Sequence, residues 1–275
     1  MPNSLIFLTL FAALLHASWN ALLRGGQDRL WSMTIMCIAI ALVSGLSALF
    51  IAAPDSASWP YGLLSALLHV GYNLCLVRSY QSGDLGQIYP VARGSSPLLV
   101  TLAAALFADE KVTAHTLFGV ALVSGGILFL ALRGRKIVTP GLPYALATGG
   151  FIAAYSVVDG IGVRLAGAPL AYTAWMSALW GVMMPAVYIM QRDMRSLWQP
   201  RPGMGMAALG GVASLLAYAI IIYAMCGAPL GAVSALRETS VLFAALIGYL
   251  FLGESLTVRK IAACSVIAIG TLIIG

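Results

Sequence analysis

Three arginines stand in sequence that otherwise suits lipid. Arg78, Arg93 and Arg237 interrupt apolar stretches, and Arg93 lies in "IYPVARGSSPLLV", between Pro90 and Pro97. A charge at the bilayer centre costs about 2.5–3.5 kcal/mol even on insertion scales, so such a group must face protein or water. A guanidinium carries a planar fork of N–H donors that matches two oxygens of a carboxylate, phosphate or phosphonate. Two acids, Asp159 and Glu238, accompany the arginines. Three cations against two acids leave a positive surplus, which suits an anion or the anionic end of a zwitterion. The same two acids are the candidates for charge pairing with the arginines or for proton coupling. Ser96 and Ser240 each follow an arginine by three residues. They can donate to the same oxyanion or bond back to their own helix.

Other polar side chains recur at helical spacing. In "LLHASWN" (14–20), His16 and Asn20 are four apart on one face, with Trp19 beside them. His69, Tyr72 and Asn73 repeat that pattern. Tyr155 shares a face with Asp159, and Tyr218 falls in the middle of another apolar run. These residues fit either a cavity lining or bonds between helices. They join Arg93, Arg237, Ser96 and Ser240 as the candidate substrate-binding set.

The elements that must position them are membrane spans. The 275 residues are 61% hydrophobic and 9% charged, with mean hydropathy +0.95, where a soluble chain carries about a quarter charged residues. A span needs roughly 20 mostly apolar residues. Ten segments qualify: 4–23, 30–52, 59–81, 86–107, 113–132, 142–163, 169–190, 204–226, 230–252 and 257–274. Turn residues separate them, among them Gly25-Gly26, Pro54, Gly83, Pro140-Gly141 and Pro229. The first segment has no basic residue ahead of it and reads as a permanent helix, not a cleaved signal peptide. The predicted fold is all-α and polytopic.

A shift of 144 residues (237 − 93) lays "RETSVLFAALIGYLFLGESLT" on "RGSSPLLVTLAAALFADEKVT" without a gap. Arg237 meets Arg93, Ser240 meets Ser96, Glu254 meets Glu110, Thr257 meets Thr113 and Gly270 meets Gly126. Pro90 and Pro97 fall on Ser234 and Val241, so only one half carries the helix breakers. This predicts a bend particular to that half. Two units of five helices, 1–137 and 142–275, must enter the membrane with opposite orientations. Such inverted repeats place a site near the midplane at their interface.

Ten basic residues (Arg24, Arg29, Arg133, Arg135, Lys136, Arg192, Arg195, Arg201, Arg259 and Lys260) fall in loops on one side, against Lys111 and Arg164 on the other. The positive-inside rule then places both termini outside an inner (plasma) membrane. The net charge of +6 reflects this loop placement and implies no nucleic acid. Cys37, Cys75, Cys226 and Cys264 lie singly in four segments, without metal or redox spacing. The remaining tryptophans read as interface anchors, and small-residue steps such as Ala13, Ala17, Ala21 and Gly210 as close helix packing. No phosphate loop, GxSxG or HExxH is present. Neither an enzyme, a metal site nor a cofactor is indicated.

The five-plus-five repeat, with the fourth helix of each half ending in an acidic turn ("FADEKVT", "FLGESLT"), resembles the EamA branch of the drug/metabolite transporter superfamily. "LLHASWNALLRGG" (14–26) is similar to a subgroup associated with phosphonate utilisation. The resemblance implies a secondary transporter without ATPase, with a central cavity lined by spans 1, 3, 4, 6, 8 and 9. The expected substrate is a small organic anion or zwitterion, aminophosphonate-like or an amino acid, and the expected assembly a monomer or homodimer in the bilayer. The alternatives are a lipid-linked sugar or phospholipid flippase and an intramembrane enzyme acting on lipid headgroups.

Overall fold

The computed structural model describes residues 2–25, 28–82, 85–131, 140–199, 201–252, 255 and 257–274. The Gly253-Glu254 turn, Gly26, Gly83 and the basic residues Arg133, Arg135 and Lys136 lie outside the described residues. Helices occupy almost everything else: α1 (Asn3–Gly25), α2 (Arg29–Ala48), α3 (Trp59–Ser82), α4 (Leu85–Phe107), α5 (Ala114–Ala131), α6 (Leu142–Ala166) and α7 (Pro169–Gln191). The short α8 (Met194–Trp198) precedes α9 (Met204–Gly227), α10 (Leu230–Arg237), α11 (Ser240–Leu252) and α12 (Val258–Ile274).

Nine described segments are long and apolar enough to cross a membrane, α10 and α11 counting together as one. The 17 residues of α12 make the tenth span. Phe7, Leu46, Leu106, Val182, Leu209 and Leu272 stand on the outer surface as lipid-facing apolar side chains. The protein is therefore an all-helical multi-pass membrane protein, and the ten spans match the sequence expectation in order. The differences are at the ends of spans and in span 9, which is interrupted.

Packing follows the repeat. α3 lies against α6, and its counterpart α9 lies against α1; α4 lies against α6, and α10 and α11 lie against α1. The α5–α12 pair shows the symmetry in register. A Cβ on Gly126 would stand 2.8 Å from Ile267 and 3.2 Å from the Ala263 carbonyl. A Cβ on Gly270 would stand 2.9 Å from Val123 and 2.8 Å from the Gly119 carbonyl. Subtracting 144 from Ala263 and Ile267 gives Gly119 and Val123, so the contact is isologous about a pseudo-twofold axis. Glycine is what lets the two backbones approach this closely.

Ionic contacts hold the loops at each end. On one face Asp28 caps α2 by accepting from the Trp31 N–H at 3.2 Å, and its carboxylate also pairs with Arg192 and with Arg201 at 2.9 Å. Burial works against the Asp28 charge, but these N–H donors outweigh it and hold the carboxyl below its usual range. On the other face Arg164 pairs with Glu110 at 2.6 Å and donates to the Met225 and Ala228 carbonyls. Glu110 also accepts from the Leu230 N–H at 2.9 Å, capping α10.

Candidate functional site

The centre of the bundle holds a cavity of about 40 Å³. Its lining comes from seven spans: His16 and Trp19 (α1); Met33, Met36 and Ile40 (α2); His69, Tyr72 and Asn73 (α3); Tyr155 (α6); Trp180 (α7); Ser214 and Tyr218 (α9); and Arg237 (α10). Spans 2 and 7 contribute where the resemblance did not place them, and α4 does not contribute among the described residues.

Arg237 is 2% exposed and ends α10. Its Nε lies 3.6 Å from Glu238 Oε1, and its Nη2 has no hydrogen-bond partner among the described residues. Arg93, also 2% exposed, sits behind it on α4. Arg93 Nε is 2.6 Å from Glu238 Oε2, and its Nη2 donates to Ser240 Oγ at 3.3 Å. One carboxylate thus serves both guanidiniums, bridging the two halves of the repeat.

The span carrying Glu238 tightens here. The Thr239 N–H and the Thr239 hydroxyl both take the Leu236 carbonyl, at 3.1 and 2.7 Å. That carbonyl is the acceptor an unbroken α-helix would offer to Ser240. The Val241 N–H donates to Glu238 O and the Leu242 N–H to Thr239 O. These i→i−3 bonds make a 3₁₀-like turn between α10 and α11.

Beyond Arg237 the cavity wall is aromatic. His69 stacks on Tyr155, with ring centroids 4.1 Å apart, and on Trp180 at 5.4 Å. Tyr72 and Tyr218 meet it edge-on. Behind Tyr218, Asp159 is fully buried. It accepts from the Tyr172 hydroxyl at 2.9 Å and from the Tyr218 hydroxyl.

The sequence candidates therefore divide. His16, Trp19, His69, Tyr72, Asn73, Tyr155, Tyr218 and Arg237 meet at the cavity, and Asp159 lies just behind it. Asn20 does not join them: it donates to the His16 carbonyl and accepts from the Tyr80 hydroxyl, because the four-residue step carries it past the cavity towards α3. Ser96 bonds the Arg93 carbonyl at 3.1 Å and lies 3.5 Å from Glu238 Oε1. With Arg93, Ser240 and Glu238 it forms a buried network behind the lining.

Arg78 is a correction. α3 runs on to Ser82, so Arg78 is only one turn from the helix end. It is exposed and borders a separate pocket of about 180 Å³ with Arg192. Arg93 and Arg237 then face Glu238 and Asp159, and the expected positive surplus vanishes as a formal count. What remains is local: two arginines share one acid, and Asp159 is engaged by tyrosine hydroxyls.

Trp180 was the residue missed among those read as interface anchors. It stands eleven residues after Pro169, mid-span, which is a signal against an interface position. Met36 also packs: α9 crosses α2 so closely that a Cβ on Gly211 would collide with the Met36 carbonyl.

The model of the EamA-like transporter family matches residues 3–132 and 139–275. Among curated proteins none matches the chain. A solved structure titled "Crystal structure of protein" superposes with a TM-score of 0.77 at 17% sequence identity, over 100% of this chain and 98% of that one. At that identity the likeness is one of fold.

Proposed function

The chain belongs to the EamA-like transporter family, and on that premise we propose that it is a secondary active transporter of a small organic anion or zwitterion. It works by alternating access through the cavity between its inverted repeats. A phosphonate-like metabolite is the first substrate class and an amino acid the second. The membrane is the inner (plasma) membrane, and the face carrying Arg192 and Arg201 is cytoplasmic.

One observation carries this reading. Arg237 lines the cavity, almost fully buried, and among the described residues its Nη2 is unpartnered and its acid, Glu238, is shared with Arg93. Buried donors left without a partner cost about 1–3 kcal/mol each, more when charged, and a bound oxyanion removes that cost. Met33 and Met36 give the cavity adaptable walls. The Asp28 and Glu110 ion pairs close the two faces. Each such solvent-accessible pair is worth about 0–1 kcal/mol, weak enough to open once per cycle.

The test is a thermal-shift screen of purified protein against phosphonates, amino acids and sugar phosphates, repeated with Arg237→Gln. We expect phosphonates or amino acids to raise the melting temperature of the wild type and to leave the variant unmoved. Equal shifts in both proteins would sink the Arg237 site.

A further inference from the structure

His16 and His69 hold comparable places, each four residues ahead of an asparagine, yet their neighbours fix them in opposite tautomers. The Trp19 indole N–H donates to His16 Nδ1 at 3.1 Å. An indole can only donate, so Nδ1 is the acceptor and the proton of the neutral ring sits on Nε2. That Nε2 is buried and has no hydrogen-bond partner among the described residues. In His69 the relation is reversed. Its Nδ1 lies 2.9 Å from the Ser65 carbonyl oxygen, which can only accept. The proton is therefore on Nδ1, and Nε2 keeps its lone pair. Stacking between Tyr155 and Trp180 fixes the plane of this ring.

Both rings line the cavity, so the cavity offers donors and acceptors together. Its donors are the His16 Nε2–H and Arg237 Nη2, which have no hydrogen-bond partner among the described residues. Among its acceptors is His69 Nε2. Tyr218 is one as well, because its hydroxyl hydrogen is committed to Asp159 and only its oxygen lone pairs remain to offer. The buried Asp159 carboxylate stands directly behind that oxygen.

Resting on the transporter reading above, we propose that the substrate is a zwitterion. Its acid, a phosphonate or carboxylate, sits against Arg237 and His16. Its protonated amine sits against His69 and Tyr218, with Asp159 as the counter-charge behind. A simple organic anion meets only the donors and leaves the acceptors His69 Nε2 and Tyr218 unmatched.

The experiment uses the full-length purified protein and intrinsic fluorescence, since Trp19 and Trp180 border the cavity. Two matched pairs are titrated: 2-aminoethylphosphonate against ethylphosphonate, and β-alanine against propionate. We expect at least one amine-bearing member to bind tenfold or more tighter than its deaminated partner. Asp159→Asn and the near-isosteric Tyr218→Phe should each shrink that ratio to threefold or less, while Arg237→Gln weakens both members of the pair. Tyr218→Phe keeps the test open if Asp159→Asn does not fold. Equal binding within both pairs overturns the zwitterion and leaves the anion site standing. Binding by none of the four overturns both. An undiminished ratio in both variants overturns the assignment of the amine to His69 and Tyr218.

Discussion

α4 and the α10–α11 pair are the same element of the repeat, and they have been made differently. α4 contains Pro90 and Pro97 and remains one helix over 23 residues. Its counterpart contains no internal proline and is interrupted between Arg237 and Ser240. The position after each arginine also differs, glycine at 94 and glutamate at 238. A Cβ on Gly94 would meet Leu128 Cγ at 2.9 Å and the Leu128 nitrogen at 3.1 Å, so α4 packs flush on α5 where the other half places its acid.

The hydroxyls explain which helix breaks. Ser95 and Thr239 correspond, and both bond backwards. Ser95 Oγ takes the Val91 carbonyl at 2.9 Å, with Ala92 O further away at 3.3 Å. Thr239 takes Leu236 O, the counterpart of Ala92 O, at 2.7 Å, and displaces the α-helical bond there. In α4, Pro97 has no N–H to give the Arg93 carbonyl, but Ser96 supplies a hydroxyl instead. The freed group is satisfied and the helix continues. A proline is thus a weaker predictor of interruption than a threonine that competes for a carbonyl beside a buried ion pair.

The division of labour follows. Arg93 spends its charge on Glu238, while Arg237 keeps donors for the cavity. The largest effect should come from removing the shared acid. Glu238→Gln leaves two buried guanidiniums facing each other uncompensated, and we expect a loss of about 3–5 kcal/mol in reversible unfolding. A loss below about 1 kcal/mol, the worth of a surface pair, would show that Glu238 does not join the halves. A smaller effect tests the α4 side. Ser96→Ala should cost about 1–3 kcal/mol by stranding the Arg93 carbonyl. In a Pro97→Ala background the restored N–H takes that carbonyl, and the cost should fall by at least half. Additive costs in this double-mutant cycle would break the proposed exchange of donors.

The sequence made the spans legible because lipid leaves few alternatives: apolar runs of the right length, punctuated by glycine and proline, coincide with the helices within a few residues. The repeat was legible from Arg, Glu and Gly in one register, and the α5–α12 contact carries that register into space. The location of the bend was not legible. Pro90 and Pro97 pointed to α4, while the decisive hydrogen bond belonged to Thr239, one step past Glu238. At the site, residue type alone could not separate Arg93 from Arg237, since matched depth says nothing about which one an acid captures. Nor could spacing place Asn20, whose partner Tyr80 lies 60 residues away. Trp180 was hidden by the habit of reading membrane tryptophans as interface anchors.

The central claim is that only one of two symmetry-related arginines faces the transport path. The direct measurement is cysteine labelling in native membranes, with Cys37, Cys75, Cys226 and Cys264 replaced by alanine and a single cysteine at position 93 or 237. A small hydrophilic methanethiosulfonate should modify Arg237→Cys readily and Arg93→Cys slowly or not at all. Equal labelling at the two positions, or faster labelling at 93, would contradict the account.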